Sequence, residues 1–516
     1  MAAYTLTEKA IILRHGDDVA VLKEGLAEGT ELQFNGKTIR LLQDIPQGHK
    51  VALNPVAHDH PIRKYGQVFG FASENIPAGA HVHTHNVAIR DFDRDYAYAT
   101  EVKPVETYPS EQMRDFMGYK RLDGRVGTRN YVLVVSTVNC SAGVSNYVAE
   151  RFKNGGLRDY PNVDGVVAIT HKGGCGTKWE GADFHILQRT LAGFAQHPNV
   201  AAYVVIGLGC EVNQAVSLVE NYQMIELYDP KQRPPVLHIQ ESGGITKTVE
   251  AGVNAVASLL SRANDVRRTK QPISEILLGA KCGGSDGNSG ITANPALGVA
   301  ADELVRYGGT VVIGETTEMY GAEHLLTRRA RNEAVGKKLV ERIRWWEWYT
   351  KTLGAEINAN PAPGNIAGGL TNIYEKSLGA IAKGGTTPLN AVYQYAERMT
   401  EHGFVIMDTP GFDPVTITGM VAGGANVVVF TTGRGSVFGC KPTPSIKVTT
   451  NSRIYHHMIE DMDFNAGTIL EGESVRDVGL RLLDEIIEVA SGKKTKSELH
   501  GMGDEEFCPW PVGPTV

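Results

Sequence analysis

The chain has 516 residues, room for two to four domains at about 150 residues each. Lysine and arginine total 51 against 58 acidic residues, giving a formal charge of −7 and a pI near 6.2. That balance speaks against a nucleic-acid coat or an anionic-membrane binder, both of which need a basic excess. With 42% apolar and 21% charged residues the composition is that of a soluble globular protein with a large core. Residues 1–17 carry Glu8, Lys9 and Arg14 and no sustained apolar run, so no export signal is read there, and stretches such as Ala201–Leu208 are too short to span a bilayer. Six cysteines are too few for a disulfide scaffold. The expectation is a cytoplasmic protein with reduced thiols.

Residues 1–100 read as a small β-rich domain with short strands at Val19–Leu22, Thr38–Leu42 and Val51–Leu53. Asp44-Ile45-Pro46-Gln47-Gly48-His49 is echoed by Asn75-Ile76-Pro77-Ala78-Gly79-Ala80-His81. The echo fits either a pseudo-symmetric β-clip or two turns of one type, and we favour turns. A proline- and acid-containing linker covers 101–117. From about residue 118 the rhythm changes. Buried-strand patterns at Tyr131–Thr137, Gly165–Thr170, Ala202–Ile206, Glu275–Leu278, Thr310–Ile313, Phe404–Met407 and Asn426–Phe430 alternate with helical spacing, as in Gly143–Asn154, Asp183–Gln196, Gln214–Tyr228 and Gly244–Asn264. That alternation predicts an α/β region with mainly parallel, doubly wound sheets, divided into 118–270 and 271–516. Ala322–Thr352 reads as one long helix whose Trp345, Trp346 and Trp348 pack an interface, and Ser474–Ala490 as a late amphipathic helix.

The cysteines are placed in a pattern. Cys140, Cys175, Cys210 and Cys282 each follow a predicted strand, beside glycines. Ligands of open α/β sheets bind beyond the carboxyl ends of the strands, so all four together are expected at one edge as thiolate metal ligands, although any single cysteine is better explained as core filling. In the small domain, His81, His83 and His85 share one face of an extended strand, and His58 and His60 repeat the spacing. A metal or an anionic substrate suits such imidazoles, and His83 and His85 are the functional candidates; a solvated strand is the bland alternative. Gly283-Gly284-Ser285-Asp286-Gly287 and Thr431-Thr432-Gly433-Arg434-Gly435 look like oxyanion cradles, with Ser285, Thr432 and Arg434 as contacts and Arg129, Lys441 and Lys447 as further cations for a carboxylate. No P-loop is present and no G-x-G-x-x-G follows the first α/β strand, so nucleotide or dinucleotide binding is unsupported.

Several motifs together are familiar: Gly124-Arg125-Val126-Gly127-Thr128-Arg129-Asn130, Gly209-Cys210-Glu211, Cys282-Gly283-Gly284-Ser285-Asp286 followed by Gly290-Ile291-Thr292-Ala293-Asn294-Pro295, Pro361-Ala362-Pro363-Gly364-Asn365, Glu375-Lys376-Ser377-Leu378-Gly379 and Asp463-Phe464-Asn465-Ala466-Gly467. The sequence resembles the altronate/galactarate dehydratase family from the N-terminal domain to near residue 500. The resemblance implies an N-terminal SAF-like β-clip domain and a hydro-lyase of hexuronate catabolism. Gly79–Asn86 and Glu318–Glu323 look like the altronate branch, whose members convert D-altronate to 2-dehydro-3-deoxy-D-gluconate with Fe(II) or Mn(II).

We assign the metal to Cys140, Cys175, Cys210 and, as a fourth ligand, Cys282, with His83 or His85 as a ligand or acid/base group, His171, Glu211 and Asp286 as the other acid/base candidates, and substrate contacts from Arg129, Asn130, Ser285, Thr432, Arg434 and Lys447. A mononuclear ion and an iron–sulfur cluster both stay open, and Mn(II) sits awkwardly with thiolates. Alternatives are a galactarate or other aldonate or aldarate dehydratase, a sulfolactate-type C–S lyase, and a metal- or sugar-acid-binding regulator, for which no helix-turn-helix is apparent. The expected partner is a small sugar acid, with no nucleic acid or membrane, and the expected assembly is a homodimer.

Overall fold

A computed structural model describes residues 3–90, 94–227, 229 and 231–512. In the N-terminal region two hairpins set the pattern, Glu31–Phe34 with Lys37–Arg40 and Pro61–Lys64 with Gln67–Ala72. Their two-residue turns, Asn35-Gly36 and Tyr65-Gly66, have positive φ at both positions, the geometry whose twist matches antiparallel strands. Each hairpin is flanked by the same bridge, Leu26 with Ile45 in one copy and Val56 with Ile76 in the other. Gly48 and Gly79 take φ of 79° and 83° at equivalent turns. The echo is therefore a duplicated structural unit, which corrects the turn-only reading. Matching local patterns hold matching turns because Ile45 and Ile76 are both anchored in the core.

Past a segment that runs along the large domain, with Ala99 and Glu101 donating backbone hydrogen bonds to Thr327 and Arg328, two parallel sheets follow. The first has four strands in the order Gly165–Ile169, Tyr131–Ser136, Val200–Gly207, Val236–His238. The second has seven: Leu389–Tyr393, Gly403–Met407, Thr310–Ile313, Leu277–Cys282, Val427–Thr432, Ser445–Thr449 and Phe464–Asn465. Their central strands are buried throughout, as the unbroken Val, Ile and Leu runs require. In the second sheet the chain moves outward from Leu277–Cys282 in one direction, then returns to its other side with Val427–Thr432. The crevice between those two strands is the topological switch point, where ligands of such sheets bind. The first sheet has its own switch point between Tyr131–Ser136 and Val200–Gly207.

Two helix readings change. The segment 322–352 is two helices, Glu323–Arg328 and Glu333–Thr352, because Asn332 caps the second by accepting a hydrogen bond from Val335 N. Trp346 is buried within the chain, stacked on Trp510 at 5.1 Å and donating to Asp408 at 2.8 Å, whereas Trp348 is exposed. The helix expected over 214–228 is shorter, Ala215–Asn221. No helix among the described residues is long and apolar enough to cross a membrane.

Candidate functional site

At the switch point of the large sheet, the strand Leu277–Cys282 runs into the Gly283–Gly287 turn. The small domain reaches down onto this turn. A Cβ on Gly287 would lie 1.9 Å from the Gly48 carbonyl oxygen, so only glycine lets the two backbones meet. Gly287 N donates to the Gly368 carbonyl at 2.8 Å, closing a third segment over the same spot. Beneath lies a small cavity lined by Tyr65, Cys282, Ser285, Asp286, Glu375 and Lys376. Ser285 Oγ is buried there without a hydrogen-bond partner, a free hydroxyl for a ligand. Asp286 accepts from Ser289 Oγ and Asn288 N on one oxygen and from Thr450 Oγ1 on the other, and burial raises its pKa despite them.

Behind the cavity is a buried charge cluster. Lys383 Nζ donates to Cys282 Sγ at 2.9 Å and to Glu315 Oε2 at 3.0 Å. Lys281 is hydrogen-bonded to the other Glu315 oxygen, and Lys376 to Glu318 at 2.8 Å. Glu315 holds φ of 66°, a left-handed conformation that costs a non-glycine residue about 1–3 kcal/mol and that the surrounding bonds enforce. Burial pushes the Cys282 thiol and the Glu315 carboxyl up, Glu315 and Glu318 each adding repulsion. Burial acts the same way on Glu318, but three ammonium groups, Lys376 foremost, override it and bring Glu318 down to about 2.

The second cluster comes from the small domain. His49 Nδ1 lies 3.0 Å from His81 Nε2, and the His83 ring centroid is 4.8 Å from that of His49. The antiparallel pairing of Val51 with His81 sets this register. His85 is exposed at the rim, its ring 5.5 Å from His81. Desolvation, reinforced by the neighbouring imidazoles and Lys50, lowers His81 to about 3 and His83 to about 4, so both are neutral at pH 7. Next to them Lys50 and Lys64 grip the two oxygens of Glu375 at 2.9 and 2.8 Å, all three side chains being fully buried. Lys50 also donates to the Gly369 carbonyl at 2.7 Å. This triad welds the small domain to the catalytic body.

Two groups of donor atoms lie within 4.8 Å of one another among the described residues: His49, His81, His83 and Cys282, Glu315, Glu318. The second does not fit a metal as it stands. Lys383 already bridges the thiol and Glu315, and three ammonium groups balance the carboxylates. The first fits: its nitrogens suit Fe(II) or Mn(II).

The four cysteines do not share one edge. Cys140, Cys175 and Cys210 are exposed at the carboxyl ends of the four-stranded sheet, while Cys282 is buried in the seven-stranded one. The loops bearing the first three are tied together, Asn139 N to Gly173 O at 3.0 Å and Asn213 N to Gly174 O at 2.9 Å.

Arg129 and Asn130 sit at the opposite, amino end of their strand and are consumed by structure. The Arg129 guanidinium clamps Glu498 and three backbone carbonyls, and the Asn130 amide bonds Asn162, Ala263 and Arg121. Neither is a substrate contact, because no donor is left over. His171 uses both nitrogens internally, on Ser136 O and Gly173 N, which removes it as an acid/base group. Glu211 accepts from Thr137 Oγ1 and from Leu208 and Gly209 N and holds the Gly209-Cys210 turn. Lys447 lies 3.4 Å from Asp463, buried. Thr432 accepts from Gly435 N within the cradle, and Arg434 is exposed at its lip. His49, Lys50, Lys64, Glu315 and Lys383 escaped the sequence reading; in the repeat His49 aligns with Ala80 and Lys50 with His81, so the echo did not single His49 out.

Comparison with known proteins bears on this arrangement. The chain matches models for the altronate/galactarate dehydratase SAF domain over residues 8–90, the D-galactarate dehydratase/altronate hydrolase second domain over 118–264 and the D-galactarate/altronate dehydratase C-terminal domain over 273–515. It is 36% identical to altronate dehydratase of Escherichia coli (strain K12) over 93% of this chain and 95% of that one. It is 38% identical to galactarate dehydratase (L-threo-forming) of the same organism over 96% of each, and 32% identical to a (2R)-sulfolactate sulfo-lyase beta subunit of Chromohalobacter salexigens over 76% of this chain. The dehydratase relatives matched over nearly the whole chain put it among the hydro-lyases. The chain belongs to the altronate/galactarate dehydratase family and is a sugar-acid dehydratase.

Proposed function

We propose that the substrate is D-altronate, dehydrated to 2-dehydro-3-deoxy-D-gluconate with the help of Fe(II) or Mn(II). The observation that carries this reading is the imidazole set of His81, His83 and His85 gathered around His49, whose neighbour Gly48 packs on Gly287 of the Ser285–Asp286 turn, since that segment is the part resembling the altronate branch. The C2 proton beside a carboxylate is weakly acidic and hydroxide is a poor leaving group, so both ends need help. His49, His81 and His83 would hold the divalent ion, which when bound would supply Lewis-acid stabilisation of developing enediolate charge.

In this reading the chain's own groups do the rest. Lys376 and the unpartnered Ser285 hydroxyl take the substrate carboxylate in the cavity they line. His85, on the exposed rim, removes the C2 proton. Asp286, whose burial favours the protonated form, gives its proton to the departing C3 hydroxyl, releasing water, and solvent restores both groups. The enol then tautomerises to the 2-oxo acid. Thr432 and Arg434 flank the far side of the turn as selectors of the distal hydroxyls.

The test is anaerobic turnover of D-altronate after Fe(II) loading, with galactarate alongside. Formation of the 2-oxo-3-deoxy acid from altronate, abolished by a chelator, supports the reading. Turnover of galactarate alone moves the substrate to the other named relative, and silence on both removes the substrate assignment.

A further inference from the structure

His49 is the residue that neither the H-x-H motif nor the cysteine pattern anticipates. It is in contact with the large domain through Ala367. Its Nε2 faces the Ala367 carbonyl at 3.3 Å. A carbonyl can only accept, so Nε2 carries the proton and Nδ1 is left as a lone pair directed at His81 Nε2, 3.0 Å away. A backbone carbonyl fixing the tautomer of an imidazole while its other nitrogen points into a cluster is the outer-sphere arrangement that orients metal-bound histidines.

The spacing agrees. Two nitrogens each about 2.1 Å from one ion and at right angles across it stand about 3.0 Å apart. The third imidazole supplies the independent sign: His83 Nδ1 is buried and has no hydrogen-bond partner, an orphan acceptor beside the other two. Lys50, the nearest cation, does not compete, because Glu375 and the Gly369 carbonyl hold its ammonium group.

We infer that His49, His81 and His83 form a three-nitrogen divalent-cation site at the seam between the small domain and the catalytic body, with His49 aimed by Ala367, and that His85 stands outside the coordination sphere. What the ion does in turnover rests on the dehydratase reading above; its location does not. The site assigns the ion to nitrogen donors of a single domain. It also couples occupancy to docking, since the Ala367 carbonyl that orients His49 belongs to the other domain.

The experiment uses the full chain, stripped of metal and titrated anaerobically with Co(II), read by the visible d–d absorption and by equilibrium dialysis. The expected result is one Co(II) per chain, with band positions of nitrogen and oxygen ligation and without thiolate charge transfer. Loss of an orienting partner alone costs metal sites 10–100-fold in affinity, so His49→Ala should weaken binding by more than about 100-fold, and His85→Ala should leave it unchanged. Circular dichroism shows whether His49→Ala is folded. If it is not, His83→Ala, at a half-exposed position, is read in its place. Co(II) binding retained in the folded His49→Ala or His83→Ala variant overturns the inference. So does thiolate charge transfer that disappears in Cys140→Ser, Cys175→Ser or Cys210→Ser. Metal-dependent altronate turnover together with either of those results sinks the site and spares the proposed activity. Histidine-dependent Co(II) binding without turnover of any sugar acid does the reverse.

Discussion

Replacing Glu375 by glutamine tests the weld between the two parts of the molecule. The carboxylate is fully buried and gives one oxygen to Lys50 and the other to Lys64, at 2.9 and 2.8 Å, while Thr371 N donates to the Lys50-side oxygen as well. A glutamine amide offers only one acceptor atom. Its NH2 group would face an ammonium ion, and two buried cations would lose their counter-charge. Breaking a buried pair by removing one partner costs about 3–5 kcal/mol, because the charge left behind is not resolvated. The loss should fall on docking of the small domain, since Lys50 and Lys64 belong to that domain and Glu375 to the other.

The pH dependence has a definite sign. Desolvation brings Lys50 down to about 8 even with Glu375 present, below its ordinary 10.5. Without Glu375 it falls further, so the unfolded chain binds more protons than the folded one across that interval and stability rises with pH. Glu375→Gln should therefore be destabilised by about 3–5 kcal/mol at pH 7 and by less at pH 9. The assay is urea-dependent proteolysis in the 101–117 segment, which reports undocking without assuming two-state unfolding of the whole chain. Lys50→Met, Lys64→Met and Glu375→Leu combined should recover most of the loss, as apolar replacements of buried ion triads do. A Glu375→Gln variant within about 0.5 kcal/mol of the parent, the size of an ordinary surface change, would refute the reasoning.

Two further outcomes are expected. A thiol reagent should label Cys140, Cys175 and Cys210 quickly in the native protein, Cys508 more slowly, and the buried Cys282 and Cys440 only on unfolding, counted by mass spectrometry; fast labelling of Cys282 would contradict its place behind the cavity. His197 is fully buried, held down to about 3 by desolvation with Arg125 adding to it, and both its nitrogens are bonded, to Ala425 O and Asn199 N. Because its folded pKa lies below the unfolded 6.5, the stability it allows is present above 6.5 and lost as pH falls, at about 1.4 kcal/mol per pH unit. His197→Gln should flatten the fall of the urea-derived unfolding free energy between pH 6.5 and 5 by up to that slope, and equal slopes would show that His197 is not neutral in the folded chain.

Period and punctuation in the sequence carry the backbone plan. Unbroken β-branched runs such as Tyr131–Ser136 and Thr310–Ile313 can only be strands covered on both faces, and a parallel sheet follows from that. The edge strands Leu389–Tyr393 and Phe464–Asn465 escaped notice because half-buried positions dilute the apolar signal. Cysteines at strand ends were legible as positions, but which sheet each strand joins is a matter of long-range pairing, and that pairing separates Cys282 from the other three.

The same division holds at the site. Its raw materials, the H-x-H strand, the Cys282–Asp286 turn and the duplicated Ile-Pro-x-Gly turns, are local and were visible in the residues alone. Which of them act together was decided by docking. Gly48 on Gly287 brings His49 to Ala367, and Glu375 finds Lys50 and Lys64 more than 300 positions away in the chain. No local pattern encodes such contacts. They exist only where burial makes an unpaired charge or an unbonded carbonyl too costly to leave, and that cost is set by the folded interior rather than by neighbouring residues.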